Sequence, residues 1–243
     1  RAVYLKGLKA EKLSLETRMK FYRVPALSVA VMDGYRTEWA RAYGTVKEGS
    51  NEPVTTGTLF QAGPLSRAVA AAAALKLVAE GRLDIDGGVE GKLKDWSIPR
   101  EGVPEGRTVT LRGLLTDSAG FPEVALPEVP GSKPAPSLLD LLNGRIEGFN
   151  FLCAPSLADT RNVGMSEPGF AVLEKVIGDA AGKPYEAFVR DEIFGPLGMT
   201  AGTFDSMMGT GGAPMNAASG HDRAGRPVEG GWLRHPSQAA SVL

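Results

Sequence analysis

The sequence is poor in the residues from which disulfides and metal centres are made. Its one cysteine, Cys153, excludes an internal disulfide and a cysteine-based metal cluster. Two histidines, His221 and His235, are too few for a histidine-rich metal site. No cofactor is expected. Charge of one sign is also missing: 27 Lys and Arg against 28 Asp and Glu leave a formal net charge of -1. That balance excludes the basic footprint of a nucleic-acid binder and the charge block of a disordered tail. Long hydrophobic runs are absent too. The longest, from Ala68 to Leu75, is too short and too alanine-rich to span a bilayer. The chain opens on Arg1 without a signal-peptide pattern, and nothing in it points to a compartment. What is present, 43% hydrophobic and 23% charged residues, is the composition of a soluble globular domain.

Periodicity supplies the elements. "SLETRMKFYR" (14–23) predicts a helix capped by Ser14, with Leu15, Met19 and Tyr22 on one side and Pro25 as the stop. "ALSVAVM" (26–32) and "RTEWARAYGTV" (36–46) read as paired strands around the hairpin signal Asp33-Gly34. An alanine-rich helix is expected from about Pro64 to Glu80, stopped by Gly81 and placed at the domain centre, because small side chains let neighbours approach. Short helices are expected within 109–121 and 137–144, separated by a proline-rich surface stretch over 122–136. "SEPGFAVLEKVIGDAAG" (166–182) predicts a helix capped by Ser166, with Phe170, Leu173 and Ile177 as its apolar stripe. Another helix follows Pro184, and from 205 onward no periodicity stands out. One hairpin is a poor sheet alone, so helices, further strands or another chain must cover it.

At "TLFQAGPLSR" (58–67) the sequence resembles the serine β-lactamase and penicillin-binding-protein superfamily, above all its class C-like esterases and hydrolases. "VPALSVAVMDG" and "WARAYGTV" resemble the first hairpin of that family, and "AAAALKLVAEGRLDID" its central helix. "VTLRGLLTDSAGF", "GFAVLEKVIGDAAGKPYEAFVRDEIFGPLGMTAGTF" and "GHDRAGRPVEGGW" follow in the family's order. The resemblance implies an α/β (α+β) fold over 1–243. Residues 1–60 would be a sheet-hairpin region and 61–243 a mainly helical subdomain. Only the N-terminal hairpin of the antiparallel sheet would be encoded, the domain being incomplete at the C-terminus.

The family's chemistry rests on Ser-x-x-Lys at the start of the central helix, where i and i+3 share a face and the amine takes the serine proton. Here those positions fall on Pro64 and Arg67. Proline has no hydroxyl to attack with and no N–H to lend to an oxyanion hole. A guanidinium stays protonated and cannot be a general base. The second family motif carries a tyrosine. Anchored on "GMSEPGF", its position falls on Met165, followed by Ser166 and Glu167. The third motif, Lys-Thr-Gly or His-x-Gly, occurs nowhere in the 243 residues.

Ordinary structural roles account for much of this. Pro64 suits a first helical turn, and Arg67 suits an ion pair, with Glu167 as the candidate partner from family geometry. Ser66, as a displaced nucleophile, would be turned about 200° from the family position on a helix. Gly63, Ser66, Ser166 and Glu167 are expected to line the old pocket. Ser118 fits a turn, Met165 with Met207 and Met208 fits packing, and Cys153 fits a buried small residue. His221 and His235 show no partner at a useful spacing. The expectation is a pseudoenzyme acting as a binding or scaffold subunit. A protein partner or a C-terminal fragment would complete its sheet, and Arg67 would be the anchor if a small acyl or carboxylate ligand binds. The alternative is a working serine hydrolase or esterase whose site residues were engineered or misassigned.

Overall fold

The computed structural model describes residues 14–100, 105–147, 154–155, 164–204 and 216–241. Within these the chain forms two compact units: one of residues 14–61, 130–132 and 216–233, the other of 62–129, 133–204 and 234–241. Residues 130–132 and 216–233 belong to the same unit as the hairpin rather than to the helical one.

In the first unit, helix α1 (Leu15–Tyr22) starts where Ser14 Oγ accepts the Thr17 N–H. It ends before Pro25 has any say. Arg23 turns left-handed at φ 54°, and its N–H returns to Lys20 O while Val24 N–H returns to Met19 O. Strands β1 (Ala26–Asp33) and β2 (Arg36–Gly44) then pair antiparallel from Ala26↔Gly44 to Asp33↔Arg36. The turn lies one residue beyond the Asp-Gly signal. Gly34 and Tyr35 are its central pair, both left-handed at φ 52° and 62°, which matches the twist of the strands. A bulge follows, since Val31 faces Trp39 but Met32 faces Thr37, leaving Glu38 without an opposite number. Most side chains of both strands are exposed, on both faces of this two-stranded sheet.

Beyond β2 the chain doubles back. Val46 N–H donates to Glu52 O and Val54 N–H to Gly44 O, and both valines are buried. The segment from 216 is fixed alongside: Ser219 N–H donates to Val46 O, Thr58 Oγ1 to Asn216 Oδ1, and Asn216 Nδ2 to Gly57 O. His221, which showed no partner in the sequence, accepts the Glu48 N–H at Nε2, 3.1 Å away. That partner lies 173 residues earlier, where no local pattern could point to it.

The second unit is helical: α2 (Ser66–Ala79), α3 (Leu111–Leu115), α4 (Leu138–Leu142), α5 (Glu167–Ala181), α6 (Tyr185–Val189) and α7 (Gln238–Ser241). Three of them have hydroxyl caps: Thr110 on Gly113 N–H, Ser137 on Asp140 N–H and Ser166 on Gly169 N–H. The alanine helix begins two residues later than expected, because Gly63–Leu65 form a separate 3₁₀ turn ahead of it. Its buried face is Ala70, Ala73, Ala74 and Leu77, and it packs on α5.

The centre of this unit is α5. A stripe of Phe170, Leu173 and Ile177 was expected, whereas every residue from Pro168 to Ile177 is buried. α2, α3, α4, α6 and α7 all pack against it. Two charged residues lie inside that run. Lys175 is held by Asp179, at 2.7 and 2.8 Å, and by Asp95. Glu174 has no cation among its described partners.

Because Ala74 is fully enclosed, a larger side chain has no room. Ala74→Leu is expected to destabilise the protein by about 1–3 kcal/mol, read from the midpoint of urea unfolding. An unchanged midpoint would mean that the packing around Ala74 is loose.

Candidate active site

The turn Gly63–Leu65 and the first turn of α2 carry four of the expected site residues. Gly63 is left-handed at φ 56°, which admits the sharp entry. Pro64 is the second residue of the 3₁₀ turn, where its fixed φ suits the geometry and its missing N–H costs nothing. Pro64 is exposed and so is Leu65. Ser66, by contrast, is fully buried, and its Oγ donates to the Gly63 carbonyl at 2.7 Å. Its hydroxyl closes the turn and is hidden from any substrate.

Arg67 points inward and keeps 11% of its side chain exposed. Its guanidinium lies over the Phe170 ring, 4.7 Å from the centroid, and Nη1 stands 3.6 Å from Asp117 Oδ2. The distance to Asp117 is that of a charge pair rather than of a hydrogen bond. Arg67 Nε is buried and finds no acceptor among the described residues. The partner expected for Arg67 was Glu167. That carboxylate instead accepts the Leu126 N–H at 2.6 Å, because it stands in the first turn of α5 facing the loop that crosses it.

Asp117 is the residue that sequence reasoning missed. It sits in a left-handed turn at φ 55°, a conformation aspartate tolerates better than most side chains. Its two carboxylate oxygens do separate work. Oδ2 faces Arg67, and Oδ1 accepts the Ser166 N–H at 2.8 Å. Ser166 is itself buried: it caps α5 and donates its hydroxyl to Pro122 O at 3.0 Å. Asp117 thereby ties the start of α2 to the start of α5. The signal available was an acidic residue in "TDSAG", beside the turn assigned to Ser118. The Ser118 hydroxyl does meet Thr116 Oγ1 at 2.8 Å.

Met165, next to Ser166, is 58% exposed and thus is not core packing. Met207, Met208 and Cys153 lie outside the described residues. His235 also has a partner after all. Its Nε2 is 2.9 Å from Glu128 Oε1, with Nδ1 buried and without a bond among the described residues. Among the described residues no group of three or more His, Cys, Asp or Glu is placed to hold a metal ion, and no helix is long and apolar enough to cross a membrane.

With this geometry in hand, comparison with known proteins is decisive at one level. The family model described as Beta-lactamase matches residues 14–239. The chain belongs to the β-lactamase family. Among curated relatives of this β-lactamase-family chain, it is 29% identical over 164 residues to a putative penicillin-binding protein, PbpX, of Bacillus subtilis. That match covers 63% of this chain and 34% of the relative. It is 25% identical over 219 residues to a β-lactamase of Pseudomonas fluorescens, covering 88% of this chain and 55% of the relative. Its fold matches an octameric penicillin-binding protein homologue from Pyrococcus abyssi with a TM-score of 0.69 at 23% identity, covering 93% of this chain and 53% of that one. The chain therefore spans about a third to just over half of the length of these proteins.

Two substitutions test the site's architecture. Asp117→Ala removes the partner of a largely buried guanidinium and the acceptor of a buried N–H. The expected loss is about 2–4 kcal/mol in denaturant unfolding. Arg67→Lys keeps the charge but loses the flat stacking surface on Phe170, with an expected cost of about 1 kcal/mol. A lysine variant as unstable as the aspartate one would deny the pairing its part.

Proposed function

We propose that this member of the serine-hydrolase family of β-lactamases does not carry out acyl transfer at the family's nucleophile position and serves as a binding or scaffold subunit. The observation that carries this reading is Pro64. Acyl transfer of the family kind needs an alcohol whose proton passes to a nearby base. A pyrrolidine ring offers neither the nucleophile nor the N–H of an oxyanion hole, and the adjacent hydroxyl, on Ser66, is enclosed and engaged with Gly63.

The surroundings support the same reading. Arg67 cannot accept a proton, and its charge is already matched by Asp117 and spread over the Phe170 ring. A guanidinium so occupied favours a structural role over that of anchor for an acyl or carboxylate ligand. Met165 brings a thioether to the family's tyrosine position, and a thioether has no proton to transfer. For the binding role, the support comes from the hairpin β1–β2. It is wet on both faces and carries Val31, Met32 and Trp39 exposed. A further strand, from a partner or from a C-terminal fragment, would complete it by backbone pairing.

The test is covalent labelling. Incubation with a fluorophosphonate and with a fluorescent penicillin is expected to leave the protein's intact mass unchanged; an adduct on any serine overturns the proposal. Pro64→Ser combined with Arg67→Lys is expected to give no ester hydrolysis above background, since Met165 still supplies no proton. Turnover by that double variant would show that Met165 had been assigned a part it does not play.

A further inference from the structure

A buried carboxylate of the second unit takes no part in the site described above. Glu174 lies in the middle of α5 and is buried. Its Oε2 accepts the Ser237 hydroxyl at 2.8 Å and the Ala239 N–H at 3.0 Å, and the Gln238 backbone adds to the same cluster. Ser237 Oγ in turn accepts the Ala240 N–H at 3.3 Å. One carboxylate thus holds the whole entry of α7, a single turn whose alanines are completely buried. α7 packs on α5, on α2 and on the turn Gly63–Leu65, the turn that carries Pro64.

We infer that Glu174 is a proton-operated clasp: in its neutral form it keeps α7 seated against α2 and the Gly63–Leu65 turn, and on ionising it lets that segment lift. This holds whether or not the site performs chemistry.

The electrostatics are one-sided. α7 itself carries no charge, and α6 brings Glu186, which adds repulsion, and the phenol of Tyr185. The cations on other neighbours of α5 are engaged elsewhere: Arg67 with Asp117, Lys76 on α2 with Glu80, and Arg112 on α3 with Asp86. α4 contributes only Asp140, bonded by Ser137, and the 3₁₀ turn at 90–92 brings Glu90, which accepts the Val109 N–H, and Lys92. On α5, Lys175 is held by Asp95 and Asp179. Among the described residues, an ionised Glu174 would therefore rest on neutral donors alone, in surroundings that disfavour charge.

Burial accordingly pushes the Glu174 carboxyl up to about 7, against the opposing pull of its Ala239, Ser237 and Gln238 donors and with Glu186 reinforcing it. The Tyr185 hydroxyl, buried and without a partner among the described residues, is pushed up as well, first by burial and then by Glu174. With α7 lifted, water reaches Glu174, which then ionises in the ordinary carboxylate range. The docked state is the one that holds the proton more tightly. Docking is therefore fully favoured below that range and loses ground as the pH rises through 7.

Hydrogen exchange of the Ala239 and Ala240 amides, expressed as protection factors so that the intrinsic rate cancels, tests this on the whole chain. Protection is expected to fall about ten-fold per pH unit between roughly pH 5 and 7, by up to about 300-fold in total, and to level off above. The amides of α3, which does not depend on the clasp, should keep theirs. Glu174→Gln should abolish the pH dependence. His235→Gln, which alters the nearby pair with Glu128, should preserve it. PH-independent protection in the wild type overturns the inference, as does a dependence that survives in Glu174→Gln or disappears in His235→Gln. If the glutamine variant does not fold, Ser237→Ala decides instead. Losing one donor to the carboxylate must move the midpoint of the fall to higher pH, and an unmoved midpoint also overturns the assignment.

Discussion

The helical unit depends on how closely α2 and α5 can approach. Ala70, Ala73 and Ala74 keep most of the buried face of α2 down to methyl groups, with Leu77 beside them, and α5 answers with ten consecutive buried residues. Close packing of this kind leaves interiors intolerant of added volume and transmits small displacements instead of absorbing them. The turn Gly63–Leu65, α7 and the Asp117 turn all adjoin the ends of these two helices, so their positions follow from the same contact. Asp117 then fixes the relation of the two helix starts. One oxygen faces Arg67 on α2 and the other holds the Ser166 N–H at the head of α5.

That arrangement gives the neighbourhood of Pro64 its local contacts: the buried Ser66 hydroxyl donates to Gly63 O, and Asp117 faces Arg67. On the proposed reading, Arg67, a cation that never loses its proton, stands where the family's lysine would, and Asp117 supplies an acid to match it. The aromatic ring beneath Arg67 spreads the rest of the cost of burial. Arg67 is thus held by a charge pair and a ring face, with its Nε left without an acceptor among the described residues.

Much of this was legible in the sequence because it is local. The Ser14 and Ser166 caps, the hairpin pairing and the existence of α5 are all set by neighbours within a few positions, and so was the family resemblance, carried by contiguous segments. What stayed hidden was non-local or energetically ambiguous. Nothing in "TDSAG" says that its aspartate will meet an arginine fifty residues earlier, and family geometry pointed to Glu167 instead. His221 and His235 looked unpartnered because Glu48 and Glu128 lie 173 and 107 residues away. α7 escaped notice because one helical turn is too short for periodicity to register. Glu174 sat unremarked inside an apolar helix, since a sequence does not say which polar residue will be sealed in.

The bulge at Glu38 has a consequence for the hairpin as a folding unit. In most sheets a one-residue slip is penalised because it would swing greasy side chains into water. Here solvent bathes either surface, so that penalty is nearly absent. Alignment of the two strands is left to backbone geometry: the Gly34-Tyr35 reversal at one end, and the unmatched glutamate that interrupts the ladder partway along. The interruption acts as a vernier mark, the one place where sliding would meet a mismatch before any burial could enforce the correct pairing.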